Sequence, residues 1–177
     1  SVVSGIDQGS SLRLVRGLAT AFGYVESPEE DVLLSLADQL SRSQNGSNVE
    51  PEPLAVPPAR PRFWVRNDPA TVGAEDKAGL LRLIDVTARS LSSEVTQVGA
   101  VYAEGRQRIW VANSDGLAAV DDRTRVMISV TVTARRGDLL QTGRETLAHH
   151  GGYELFDEDA VVDLAAEAGR KALAMLD

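Results

Sequence analysis

The sequence predicts an α+β fold in which an antiparallel β-meander packs against about three helices. Three observations carry this expectation. Apolar residues recur at three- and four-residue spacing in three stretches, around 30–43, 74–91 and 159–176. Between the last two, residues 125–134 alternate cleanly, with Val126, Ile128, Val130 and Val132 on one face and Ser129, Thr131 and Thr133 on the other. Turn-forming groups punctuate the strand-like runs at Arg16-Gly17-Leu18, Asn113-Ser-Asp-Gly116 and Arg136-Gly137-Asp138.

Along the chain, residues 12–16 and 19–25 read as two antiparallel strands joined near Gly17. Ser27-Pro28-Glu29-Glu30 offers an N-cap, a proline at the first helical position and an acid three residues on, so a helix is expected from here to about Ser43. Its apolar face is Val32, Leu33, Leu36, Ala37 and Leu40.

Residues 44–66 form a proline-rich linker or strap, with Pro51, Pro53, Pro57, Pro58 and Pro61 favouring extended backbone. Phe63, Trp64 and Val65 at its end call for burial, which favours a segment pinned to a surface. A second helix spans Ala74 to Leu91, with Glu75 and Asp76 at its favourable N-terminal end. Residues 95–103 and 106–112 are expected to pair as a hairpin across Glu104-Gly105, and Leu139 to Glu145 to follow as a further strand. The last helix, from about Asp159 to Leu176, presents Val161, Leu164, Ala165, Ala168, Ala172 and Leu176 to the sheet. The expected divisions are 1–43, 44–66 and 67–177, all parts of one domain.

A net charge of −8 and a pI near 4.8 disfavour neutralisation of phosphates, so no nucleic-acid partner is expected. Of 18 basic residues only Lys77 and Lys171 are lysines, and the arginines form no basic stripe. The absence of cysteine excludes disulfides, thiolate metal sites and a cysteine nucleophile from this sequence. No apolar run approaches the length of a membrane span, and the expectation is a cytoplasmic protein without a membrane partner. The chain opens on Ser1-Val2-Val3-Ser4, which suggests a fragment or a processed product.

Candidates for chemistry are few. His149 and His150 are the only histidines, and adjacent residues of a strand point to opposite faces rather than chelating one ion. Asp121-Asp122 and Asp157-Glu158-Asp159 lack calcium-loop spacing and read as solvated turns and helix caps. Gly151-Gly152 is no phosphate loop, because no Lys-Ser/Thr follows. The aromatics Phe22, Tyr24, Phe63, Trp64 and Trp110 suit a core or an interface better than base stacking.

The order of motifs goes further. Ile6-Asp-Gln-Gly9, Leu12-Arg-Leu-Val-Arg-Gly17 and Thr20-Ala-Phe-Gly-Tyr24 are followed by Asp68-Pro69 and by Glu75-Asp-Lys77 with Leu80-Leu-Arg-Leu-Ile-Asp85. Val95-Thr-Gln-Val98, Ala112-Asn-Ser-Asp-Gly116, Arg125-Val-Met-Ile-Ser-Val-Thr-Val132, Gly151-Gly-Tyr-Glu-Leu-Phe156 and Ala172-Leu-Ala-Met-Leu176 complete the series. This succession resembles the TldD/PmbA ("modulator of DNA gyrase") metallopeptidases, TldD type, over nearly all of the chain except its proline-rich stretch.

The resemblance implies the N-terminal part of such an enzyme. That family's zinc site, a His-Glu-x-x-x-His helix, has no counterpart in this sequence, so no cofactor and no catalytic or metal-binding residue is expected here, with zinc expected in the full-length protein. The implied role is a scaffold that shapes a channel for peptides or unfolded proteins and joins a PmbA-type partner subunit or a second copy, inactive when isolated. The alternative is a stand-alone protein-interaction module without protease activity. The candidate substrate-facing element is His149, His150, Gly151, Gly152 and Tyr153, whose paired glycines allow another backbone to come close; the competing reading is a plain structural turn.

Overall fold

The computed structural model describes residues 2–43, 52–57 and 63–177. They form two compact units, residues 1–51 and 52–177.

In the first unit, β1 (Ser10–Arg16) and β2 (Ala19–Val25) form a two-stranded antiparallel sheet, joined by a turn at Gly17 as expected. Leu12 and Leu14 on β1 and Ala21 and Val25 on β2 are half-buried on one face, where α1 (Glu30–Arg42) packs with Leu36 buried. Gly23 makes this approach possible, since a Cβ there would stand 2.5 Å from Leu36 Cδ1. The expected cap is corrected. Ser27 Oγ accepts the N–H of Glu29 at 3.1 Å, so the serine closes a local turn and the helix begins at Glu30, without a side-chain cap. Phe22 and Tyr24, on the other face of the sheet, are exposed.

The second unit holds α2 (Ala74–Ser90), β3 (Val95–Ala112), β4 (Ala118–Arg136), β5 (Leu139–His150) and α3 (Glu158–Ala174). The strands form an antiparallel sheet in the order β3-β4-β5, and both helices pack on one of its faces. Val126, Ile128, Val130, Val132 and Ala134 of β4, with Val95 of β3, supply the sheet's share of the core. Ile84 and Ala88 of α2 and Val161, Ala165, Ala168 and Ala172 of α3 close over them. The α+β meander is therefore the observed architecture, and α2 and α3 match the periodicity that predicts them.

The strands run longer than the sequence suggests. Residues 95–103 and 106–112 are one continuous strand, not a hairpin, because Glu104 pairs with Val126 and Gly105 with Arg125 across an unbroken ladder. The real turn is Asn113-Ser-Asp-Gly116, where Gly116 takes φ +82. Strand β4 begins at Ala118 rather than near 125, and β5 runs to His150 rather than to Glu145. Asp121-Asp122 thus lies within β4 and not in a solvated turn. Asp122 faces Arg108 in register and takes hydrogen bonds from both Arg106 (2.8 and 2.7 Å) and Arg108 (3.1 and 3.0 Å). These paired charges let acidic residues sit in a strand that propensity disfavours.

Of the proline-rich stretch, residues 44–51 and 58–62 lie outside the described residues. Glu52 donates its N–H to Ser114 O at 3.0 Å, which places the start of 52–57 beside the β3–β4 turn. The burial expected at 63–65 is met only in part: Trp64 is 94% exposed, whereas Val65 is half-buried. Nor is Trp110 a core residue; its ring lies exposed beneath the Arg108 guanidinium, 5.9 Å away.

Candidate functional site at the end of β5

The ladder fixes where the candidate residues go. His149 pairs with Val126 and His150 with Arg125, so strand alternation sends the two imidazoles to opposite faces of the sheet. His149 is exposed. His150 is half-buried and stacks on Phe63, with ring centroids 4.8 Å apart and planes 14° from parallel. Its Nδ1 is buried without a hydrogen-bond partner among the described residues.

Beyond β5 the chain turns through Gly151 and Gly152 into a short 3-10 turn, Tyr153–Leu155. Here another backbone does come close to the glycines, and it is the chain's own. A Cβ on Gly152 would lie 2.4 Å from Asn67 O, and one on Gly151 would lie 2.6 Å from Leu155 Cδ1. Tyr153 donates its N–H to Asn67 O at 2.9 Å.

Glu154 completes this clasp. Its Oε1 accepts the N–H of Arg66 at 2.9 Å and its Oε2 that of Asn67 at 2.8 Å. Burial pushes the Glu154 carboxyl up, but the backbone N–H groups of Arg66, Glu154, Asn67 and Gly152 outweigh it and hold the carboxyl below its ordinary value. No sequence signal points to this contact, because its partners lie 88 and 87 residues apart.

Tyr153 turns its ring into an aromatic cluster. It meets Tyr102 edge-on at 6.2 Å and Phe156 at 6.4 Å, while Tyr102 and Phe156 stand 5.8 Å apart. Tyr102 Oη donates to Glu104 Oε2 at 2.5 Å, and Lys77 Nζ donates to Glu104 Oε1 at 2.9 Å while lying 5.5 Å above the Tyr102 ring. Burial, followed by the hydrogen bond and charge of Glu104, raises the Tyr102 phenol well above its ordinary range. Burial likewise raises the Tyr153 phenol. Neither tyrosine is poised to lose its proton near neutrality.

The structure therefore brings together Gly151, Gly152 and Tyr153 as a junction, places His150 beside it and puts His149 on the opposite face of the sheet from His150. Among the described residues no three His, Cys, Asp or Glu side chains gather in a way that could hold a metal ion. The described residues do not fit a zinc centre, which needs at least three protein ligands around one point.

The family model described as the PmbA/TldA metallopeptidase central domain matches residues 67–176. The chain belongs to the PmbA/TldA metallopeptidase family. Its fold recurs in solved structures, two among them. One, described as a modulator of a DNA gyrase from Thermotoga maritima, is 10% identical with a TM-score of 0.66, over 93% of this chain and 37% of that one. The other, described as a modulator of DNA gyrase from Bacteroides thetaiotaomicron, is 16% identical with a TM-score of 0.66, over 94% of this chain and 38% of that one. This member of the PmbA/TldA family thus spans less than two fifths of either protein. No curated protein matches it in sequence. The matched residues take in both helices and all three strands of the second unit, and also the clasp of Asn67 with Gly152, Tyr153 and Glu154. No described helix is long and apolar enough to cross a membrane.

Proposed function

We propose that this chain is the N-terminal, non-catalytic part of a TldD-type zinc metallopeptidase that cleaves unfolded peptides in the cytoplasm. The observation that carries the reading is the family match over residues 67–176. In it the β-meander is scaffold and channel wall. Zinc and the general base come from a segment outside these residues, and a PmbA-type subunit or a second copy completes the assembly. A bound zinc ion would activate water for amide hydrolysis; this chain's own residues hold the peptide and shape its path.

The substrate-facing element in this reading is the end of β5 and the turn after it: His149, His150, Gly151, Gly152 and Tyr153. His149 is the residue free to touch a peptide, being exposed, whereas Gly152 is committed to the Asn67 contact. The test compares the 177-residue chain with a longer protein that also carries the His-Glu-x-x-x-His segment. The expected result is cleavage of an unfolded casein by the longer protein, one zinc per catalytic segment, and neither activity nor retained zinc in the shorter chain. His149→Ala in the longer protein is expected to lower kcat/KM for casein peptides with unchanged thermal stability. Cleavage by the shorter chain alone would overturn the scaffold reading, and an unaltered kcat/KM would remove His149 from the substrate path.

A further inference from the structure

The face of the three-stranded sheet turned away from α2 and α3 has a charge unlike that of the rest of the chain. Alternation from Ser129 places Arg123, Arg125, Thr131, Thr133 and Arg135 of β4 there, with Gly99 and Val101 of β3 and Thr142, Arg144 and Thr146 of β5 opposite them. In a chain of net charge −8, this face bears four arginines and a single strand carboxylate, Asp121. Arg123 is bridged to Asp121, and Arg135 lies 4.0 Å from Asp138 in the following turn. Arg125 and Arg144 have no carboxylate partner among the described residues. The only hydrogen bond of the Arg144 guanidinium among them runs from Nε to Ser129 Oγ, at 3.3 Å, and Ser129 Oγ also lies 3.0 Å from Thr146 Oγ1.

Arg144 thus stands over a small hydroxyl cluster at the rim of a depression lined by Gly99, Val101, Met127, Ser129 and Thr131. Val101 is 56% exposed in it. Arg144 pairs with Thr131, and Arg125 lies six residues earlier on the same strand as Thr131, so the backbone positions of the two arginines lie roughly 20 Å apart at about 3.4 Å per residue.

We propose that this face docks an extended acidic polypeptide segment, its carboxylates meeting Arg144 and Arg125 and its small side chains lying on Val101 and the threonines. Charge complementarity selects the occupant: two guanidiniums without a carboxylate partner among the described residues present planar donors suited to carboxylates. The hydroxyl and valine surface between the arginines provides no aromatic platform for bases. The inference stands apart from the peptidase reading, because docking is measured on this chain without catalysis.

The experiment titrates the 177-residue chain by calorimetry with an end-blocked decapeptide of alternating Glu and Thr, with its Lys-for-Glu counterpart, and with oligo-dT of equal length. The Glu peptide is expected to bind, to weaken as salt rises, and to lose about tenfold in affinity in the Arg125→Gln, Arg144→Gln double variant. The Lys peptide is expected to leave the chain unaffected. Backbone amide shifts are expected over 99–101, 129–133 and 142–146. Val101→Glu serves as a second variant, repelling the same peptide without removing an arginine. Equal binding to both variants, shifts confined to the helices, tighter binding of oligo-dT, or no binding of the Glu peptide would each overturn the proposal.

Discussion

A Cβ on residue 152 would stand 2.4 Å from the Asn67 carbonyl oxygen, a backbone atom that cannot swing aside. Gly152→Val is therefore expected to destabilise the second unit by about 1–3 kcal/mol, the cost of overpacking, read as a lower midpoint in urea unfolding. Glu154→Gln keeps the shape but removes the charge that two backbone amides share, and a loss of about 1–2 kcal/mol in the same measurement is expected. If both variants unfold at the wild-type midpoint, the clasp plays no part in holding residues 66–67. Asp122 gives the chain a pH signature. Hydrogen bonds from Arg106 outweigh burial and, with Arg108, lower its carboxyl to about 2. The stabilisation from a lowered carboxyl is fully present above the unfolded value of about 4 and is lost as pH falls through about 2. Asp122→Asn is expected to flatten the unfolding midpoint over that window; an identical pH profile in the variant would assign the acid sensitivity elsewhere.

At the level of elements, α3 begins at a side-chain cap, Asp157 Oδ1 accepting the N–H of Ala160 at 2.8 Å. Asp157→Ala is expected to cost about 1 kcal/mol in chemical unfolding, and Asp157→Ser to restore most of it. Both α3 and α2 were legible in the sequence, because their stripes of Val161, Ala165, Ala168 and Ala172 and of Ile84 and Ala88 are the faces that meet the sheet. Strand β4 was legible at Val126 to Val132 for the same reason. What could not be read was continuity. Glu104-Gly105 has turn composition, yet pairing with Val126 and Arg125 carries the strand straight through, a tertiary preference that no local window contains. The clasp at Glu154 was hidden likewise, by the distance in sequence between the carboxylate and Arg66. His149 and His150 were legible as residues unable to share an ion, since alternation needs only their adjacency.

The molecule as a whole divides where its core does. All the buried residues of the main hydrophobic cluster, from Ile84 to Leu176, lie in the unit 52–177. A protein comprising residues 52–177 is expected to keep a cooperative unfolding transition and the antiparallel-sheet circular dichroism of the parent, with a midpoint close to that of the corresponding transition. Broad, non-cooperative melting would mean that residues 2–43 complete the core. The β3–β4 pairing is also expected to govern how that core assembles in time. Asn113 N–H meets Leu117 O at 3.0 Å, and Leu117 N–H meets Asn113 Oδ1 at 2.9 Å, so the register from Ala112–Ala118 up to Gln97–Thr133 grows from one short loop. Only that loop bears the initial closure entropy; every later rung joins residues already drawn together. Gly116→Ala, strained at φ +82, is accordingly expected to slow refolding in stopped-flow traces while leaving the unfolding rate nearly unchanged. The Asn113–Gly116 turn would then be the nucleus from which the sheet zips, and the helices latecomers that seal it.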